Sequence, residues 1–379
     1  MARIALFLPN ITPFYITLFF SIKKALESHG FQVIGWPGLL AGNELIEFCK
    51  RGRPDIVFEM NRTRSDIPEF PKDIIHIAWI VDNQGRKINT FSGSDIIYLF
   101  WQNWMKDCQA SATKIMDWFP PGVDKDIYYP ESLDFISDVS FVGHLSFPWT
   151  SRELKRVIYK SSDFVVTFAD ALRHLEDGVL KVDLTGFNED DYIAVALSFL
   201  PESHRRQINL DNCVQYDLGC RAVLRMMFRR KLLDMAAACD VSLRFYGPGG
   251  WGKWDKYRPY YQTTLTDPDD IRRVYGSSRI NLHEGVGVHF RTLDCMASGG
   301  LLFYLAGPDD KITGGIRTVF TPGIHYVEVQ EANFSEKVAF YLAHPEERLE
   351  ICDKASLEVL QKHTWNHRVQ KLVDDLSFF

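Results

Sequence analysis

The sequence predicts an α/β chain built from two doubly wound domains. Three observations carry this. Short apolar runs bounded by turn residues alternate with amphipathic helical stretches, and they do so in two separate regions. Between the regions stands Pro120-Pro-Gly-Val-Asp-Lys-Asp-Ile-Tyr-Tyr-Pro130, whose three prolines and one glycine oppose both helix and central strand. The length of 379 residues suits two domains of ordinary size, and 46 % apolar with 24 % charged residues is a globular composition.

In the first region, Ile4–Leu8 predicts a strand, Tyr15–His29 a helix stopped by Gly30, and Phe31–Gly35 a second strand. Glu44–Lys50 predicts a short helix stopped by Gly52. Strands follow at Asp55–Met60, Ile74–Val81 and Asp95–Phe100, a helix at Trp101–Ala112 and a last strand at Ile115–Trp118. Continuous apolar runs suit strands covered on both faces, and alternation with helices implies right-handed crossovers and a parallel sheet. The apolar start, Ile4 to Phe20, is broken by Pro9, Asn10 and Pro13. It therefore reads as strand, turn and helix rather than as a signal peptide or spanning segment.

The second region restarts at Val139–Val142, followed by Gly143-His144-Leu145 and a helix from about Ser151, with Thr150 or Ser151 as its cap. Residues 161–236 read mainly as helices, with one long amphipathic helix from Arg221 to Ala238. Strands return at Ser242–Tyr246, Arg279–Leu282, Leu301–Leu305 and His325–Val329. The chain ends in helices at Ser335–Ala343, Glu346–Lys362 and Trp365–Leu376. The domains expected are 1–130 and 137–360, the second with a helical insertion at about 161–236, and helix 364–379 packing back on the first.

Composition narrows the function. A net charge of −6 without a Lys/Arg block gives no sign of nucleic-acid binding. Seven scattered cysteines without a CxxC pair suggest neither a zinc ribbon nor a disulfide framework, and a reducing, cytoplasmic setting is expected. There is no Walker motif, no GxSxG elbow and no GxGxxG opening the first helix. The spacing of His283, Glu284 and His289 matches no zinc pattern, so no metal is expected.

Open parallel sheets bind ligands beyond the carboxyl ends of their strands. The informative loop there is Asn281-Leu-His-Glu-Gly-Val-Gly-Val-His-Phe-Arg-Thr-Leu-Asp294. It places Glu284 and Asp294 around one predicted helix start, with Gly285, Gly287 and Arg291 between them. Helix N-termini attract anions, and a carboxylate accepts strong hydrogen bonds from sugar hydroxyls. Gly143 and His144 lie in a second such turn, where a missing side chain lets backbone approach a phosphate. Tyr246, Gly247 and Gly249, with Trp251 nearby, are expected to contact a base or diphosphate. Asp82 ends a buried strand and is positioned to orient or deprotonate an acceptor hydroxyl. Glu59, Asn61 and Arg62 end the preceding strand in the same way. His76, inside an apolar strand, reads as a core histidine.

In this order the segments resemble the GT-B glycosyltransferases, and most of all the CgeB-type group related to the family 4 retaining enzymes. The likeness rests on Trp79–Asn83, on Pro120–Pro130 (similar to PxGVDxxxFxP), and on Asp138–Leu145 (similar to DVSFVGxL). It continues through Arg244–Gly249, the block 279–300, Tyr341–Arg348 and Thr364–Arg368. The resemblance implies the GT-B architecture, with two Rossmann-like domains facing across a cleft. It implies a nucleotide-sugar donor on the second domain, the acceptor on the first, and no cofactor beyond the UDP- or GDP-sugar substrate. The family's Glu-x7-Glu pair becomes Glu284 and Asp294, with nine residues between them. Asp82 and Glu284 are the expected catalytic residues. Gly143, His144, Tyr246, Gly247, Gly249, Glu284, Gly285, Gly287, Arg291 and Asp294 are expected at the donor. The function expected is sugar transfer to an acceptor hydroxyl in bacterial surface glycan or glycoconjugate synthesis. The acceptor is a glycan, lipid-linked or protein molecule, and peripheral membrane contact is left open. A sugar-nucleotide epimerase of the same fold and a non-catalytic GT-B-like protein are the alternatives.

Overall fold

A computed structural model describes residues 1–83, 86–106, 108, 113–163, 165–285, 287–312 and 314–379, with the side chain of Leu224 set aside. The first domain runs β1 (Arg3–Phe7), α1 (Pro13–Ser28), β2 (Gln32–Trp36), α2 (Gly42–Gly52), β3 (Ile56–Met60), β4 (Ile75–Ile80), β5 (Ile96–Leu99) and β6 (Ile115–Trp118). All six strands are parallel, in the order β2-β1-β3-β4-β5-β6. The buried runs Ile4–Phe7, Ile56–Met60 and Ile96–Leu99 explain the unbroken apolar patterning, because helices cover both faces. Thr12 caps α1 and Pro13 opens it, so the helix starts two residues earlier than the apolar period suggests. The predicted helix Trp101–Ala112 is a 3₁₀ segment at Gln102–Lys106; of the residues after it, only Cys108 is described.

The second domain contains β7 (Ser137–Val142), then an insertion, then β10 (Leu243–Tyr246), α9 (Pro268–Ser277), β11 (Ser278–His283), α10 (Phe290–Ala297), β12 (Leu302–Leu305), β13 (Val327–Val329), α11 (Phe334–Ala343) and α12 (Pro345–Lys362). Its sheet is parallel, in the order β10-β7-β11-β12-β13. The insertion holds α3 (Ser151–Leu154), β8 (Val157–Lys160), β9 (Val165–Thr167), α4 (Phe168–Val179), α5 (Glu189–Ala196), α6 (Glu202–Arg205) and α7 (Asn212–Tyr216). A π-helical segment at Asp217–Phe228 then leads into α8 (Arg229–Ala237), so Asn212–Ala237 is one continuous helical run. The antiparallel β8–β9 hairpin was not expected in a stretch read as helices. Its strands are too short to show a period, although Ser161-Ser-Asp163 is a turn signal between two β-branched runs.

The last helix, α13 (Trp365–Leu376), packs on α1. Trp365, Val369 and Leu372 join the core of the first domain, and Arg368 Nε donates to Pro120 O and Pro121 O at 3.0 Å each. Phe290, at the start of α10, also enters that core, 5.7 Å from the Phe100 ring and 6.1 Å from Trp79. The two domains therefore meet at the N-terminus of α10, where the candidate site lies. No helix among the described residues is long and apolar enough to cross a membrane.

Candidate functional site

β7 and β10 end side by side, and their loops lock together. Gly143 N donates to Tyr246 O at 2.8 Å and Leu145 N to Pro248 O at 3.2 Å. Gly247 (φ +127°) and Gly249 (φ +108°) are left-handed, and a Cβ on either would overlap the carbonyl of Gly143 or Leu145. These glycines serve the contact between the two loops. Tyr246 is buried, and Trp251, 1 % exposed, stacks on Tyr261 within the core. Of the residues expected at a base or diphosphate, Tyr246, Gly247 and Gly249 do not line the adjoining cavity, whereas Lys253 does.

The predicted acid pair is split. Glu284, 1 % exposed, is held by two guanidinium groups. Arg291 Nη1 donates to its Oε2 at 2.9 Å, and Arg291 Nη2 and Arg229 Nη2 both donate to its Oε1. Burial alone would raise this carboxyl's pKa, but the charges of Arg229 and Arg291 outweigh it and hold Glu284 well below the usual range. Gly143 gives Arg291 its room: a Cβ there would sit 2.8 Å from Arg291 Nη1, which also donates to Val142 O. Glu284, Arg291 and Gly143, expected at the sugar and phosphates, are therefore packed together, with Glu284 ion-paired to both Arg291 and Arg229. Gly285 (φ +78°) is fixed because a Cβ would overlap Leu305 O, and Gly287 N donates to Tyr304 Oη at 2.6 Å. His289 caps α10, its Nδ1 accepting from Arg291 N at 3.2 Å. The helix start thus carries its own acceptor.

Beside this unit opens a cavity of about 790 Å³, lined by His144, Phe147, Arg221, Arg225 and Lys253 among others. Arg221 pairs with Glu153 at 3.2 Å and Asp217 at 3.3 Å and lies 3.9 Å over the Trp149 ring. His144 Nδ1 is buried and has no hydrogen-bond partner among the described residues. Burial, then the charges of Arg229, Arg225, Arg221 and Arg291, push its pKa down to about 4, so it is neutral at pH 7. Asp82 faces this cluster from the first domain, close enough to raise the pKa of Arg225, Tyr15 and Glu189. Its backbone is fixed by Asn61, itself left-handed at φ +63°, whose Oδ1 accepts from Val81 N and Asp82 N at 2.7 and 3.0 Å. Of the neighbouring polar residues, Glu59 is buried against Arg62 and His76, which makes it structural.

Arg225, Arg229 and Lys253 were missed from the sequence. The available signal was the four-residue spacing of Arg221, Arg225 and Arg229, which puts three cations along one side of an α-helical reading.

Asp294 lies elsewhere. It lines a narrow cavity of about 90 Å³ with Phe14, Thr17, Leu265, Thr266 and Ile271, between α1, α10 and the start of α9. The segment 262–266 reaches it by running beside β10, with Gln262 N donating to Phe245 O at 2.9 Å. Burial pushes the Asp294 carboxyl well above the usual range, opposed by Arg291. Among the described residues, none donates a hydrogen bond to its carboxylate. His283 stacks on Tyr304 at 5.7 Å, and no group of three or more His, Cys, Asp or Glu among the described residues is placed to hold a metal ion.

The family model described as "Glycosyl transferase-like" matches residues 225–374. No curated protein matches the chain in sequence. Among solved structures, an alpha-glucosyltransferase in complex with UDP and a 13-mer DNA is similar at TM-score 0.56 and 8 % identity, covering 100 % of both chains. Anabaena Alr3699/HepE, in complex with UDP and glucose, is similar at TM-score 0.52 and 11 % identity, with 100 % of both chains covered. AviGT4, a glycosyltransferase involved in Avilamycin A biosynthesis, is similar at TM-score 0.52 and 10 % identity, covering 99 % of this chain and 96 % of its own. With its two parallel sheets and the cleft between them, the chain has the GT-B architecture, and its region 225–374 is glycosyl transferase-like.

Proposed function

We propose that the chain is a glycosyltransferase of the CgeB-type group, moving a hexose from a nucleotide-diphosphate sugar to an acceptor hydroxyl. The observation that carries this reading is the cavity lined by Arg225, Lys253 and His144, with Asp82 of the first domain acting on Arg225. A donor diphosphate takes the place of an anion there, and the cations stabilise the charge that develops on the leaving diphosphate. They do so without a metal ion in this reading. Asp294 accepts hydrogen bonds from the ribose hydroxyls, and the base lies against Leu265 and Ile271. Asp82 orients or deprotonates the acceptor hydroxyl. Glu284 is a positioning residue, fixing Arg229 and Arg291 behind the phosphates. The resemblance of the sequence supports a role in surface glycan synthesis in the cytoplasm. UDP is the first nucleotide to test, since two of the similar structures hold it.

A thermal-shift screen of UDP, GDP and dTDP tests the reading. A nucleotide at 100 times its Kd stabilises the fold by about 2.7 kcal/mol. Arg225→Ala loses charged hydrogen bonds of about 1.5–3 kcal/mol, which predicts affinity weakened roughly 10- to 150-fold. If none of the three nucleotides shifts the Tm, the transferase reading fails.

A further inference from the structure

A second cavity, of about 340 Å³, lies between the first domain and the insertion, and the reading above leaves it unused. Its size falls in the range of small-ligand sites. Asn83, Asn89 and Trp104 line it from the first domain, and Asn188, Glu189 and Gln215 from the insertion. Amides both donate and accept, and a carboxylate accepts, which is the complement of a ring of hydroxyls. An indole adds a flat apolar surface of the kind that covers the C–H face of a pyranose. The charges around it are mixed: Arg86, Lys87 and Lys106 come from the first domain, Glu189 and Asp190 from the insertion. No single sign dominates among these three cations and two carboxylates, and with four amides beside them (Asn83, Asn89, Asn188 and Gln215) the lining suits a neutral polyhydroxyl ligand.

Its position connects it to the reaction. Asn83 directly follows Asp82, and Asn83 Nδ2 donates to Glu189 Oε2 at 2.9 Å, tying the two walls together. Asp82 is also one of the charges that raise the pKa of Glu189, after burial. The cavity therefore begins beside the carboxylate assigned to the acceptor. We propose that it binds a neutral sugar unit of the acceptor, so that the acceptor is an oligosaccharide seated partly on the helical insertion. The proposal rests on the transferase reading, and it makes the insertion a determinant of acceptor choice.

The test uses the full chain and a panel of neutral trisaccharides: maltotriose, cellotriose, chitotriose and mannotriose. Saturation-transfer NMR and calorimetry read their binding, while UDP binding is measured in parallel. At least one trisaccharide is expected to bind, and Gln215→Ala and Trp104→Ala each to weaken it about tenfold or more, as the loss of one or two hydrogen bonds or of a stacked ring implies. UDP affinity is expected to stay unchanged in both variants. Gln215 is only half-buried, so its variant remains informative if Trp104→Ala does not fold. The proposal is overturned if no trisaccharide binds the wild-type chain, or if both variants that fold bind as well as wild type. Failure of UDP, GDP and dTDP to bind would instead remove the transferase reading, and the trisaccharide result would still decide what the cavity holds.

Discussion

The two sides of α10 are opposites. On the Glu284 side, one carboxylate meets two guanidinium groups, with Arg225 close by, so positive charge is in excess. On the Asp294 side, one half-buried carboxylate lines a narrow cavity and its pKa is raised. A single helix thus separates a place suited to an anion from a place suited to hydroxyl donors. A nucleotide diphosphate carries both in one molecule, and the difference between the sides is what orients it. The two acids, a pair in the sequence, have unlike tasks: Glu284 holds arginines and Asp294 is left to a ligand.

The largest expected effect breaks the Glu284 side. Arg229 is 6 % exposed and pairs with a carboxylate that is 1 % exposed. Removing one partner of a buried pair leaves charge poorly compensated, and Arg229→Ala is expected to destabilise the fold by about 3–5 kcal/mol. Urea unfolding measures it. A loss below about 1 kcal/mol would show that the pair is not the buried strut assigned here.

The Asp294 side gives the opposite sign in stability. A raised folded pKa means that burial penalises the ionised form, so its contribution to stability falls as pH rises from the unfolded value through the folded one. Asp294→Asn removes that penalty at neutral pH and is expected to stabilise the fold by about 0.5–2 kcal/mol. The same change weakens UDP binding by roughly 10-fold or more, because a neutral amide replaces a charged acceptor. Higher stability with lower affinity is the signature of a residue kept for a ligand. Thermal melts and calorimetry on one preparation give both numbers, and a variant that binds UDP as tightly as wild type would remove Asp294 from the ribose.

What the sequence made legible follows from what side-chain periodicity encodes. Strands such as Ile56–Met60 and Ile96–Leu99 are buried on both faces and read as unbroken apolar runs. The strand-helix alternation and the Pro-rich segment then led to two sheets and a break between them. The acidic loop was legible because glycines and acids are unusual after a buried strand. The partners of Glu284 were not legible. Arg229 lies 55 residues away, and only the tertiary fold brings it near. Gly247 and Gly249 show the same limit. A glycine marks a close approach, and here the approaching group is the Gly143–Leu145 backbone rather than a ligand. The raised Asp294 pKa also depends on burial that no local pattern encodes.

The smallest expected effect sharpens the anion assignment itself. His144 has a pKa of about 4 because burial and four arginines oppose its proton. A diphosphate placed among those arginines cancels part of their field, so the pKa of His144 rises in the complex. The bound state then holds more protons than the free state at mildly acid pH, and linkage requires affinity to increase as pH falls toward the raised pKa. The diphosphate also titrates in this range, so the informative quantity is the difference between wild type and His144→Gln. Between about pH 7.5 and about pH 5.5, wild type should gain a few-fold more in UDP affinity than the variant, a coupling of roughly 1 kcal/mol. Calorimetry at about pH 5.5, in buffers of differing ionisation heat, should show proton uptake in wild type beyond that in the variant. Equal pH dependence in the two proteins would place the diphosphate away from His144. The arginine excess on the Glu284 side would then need another anion to explain it.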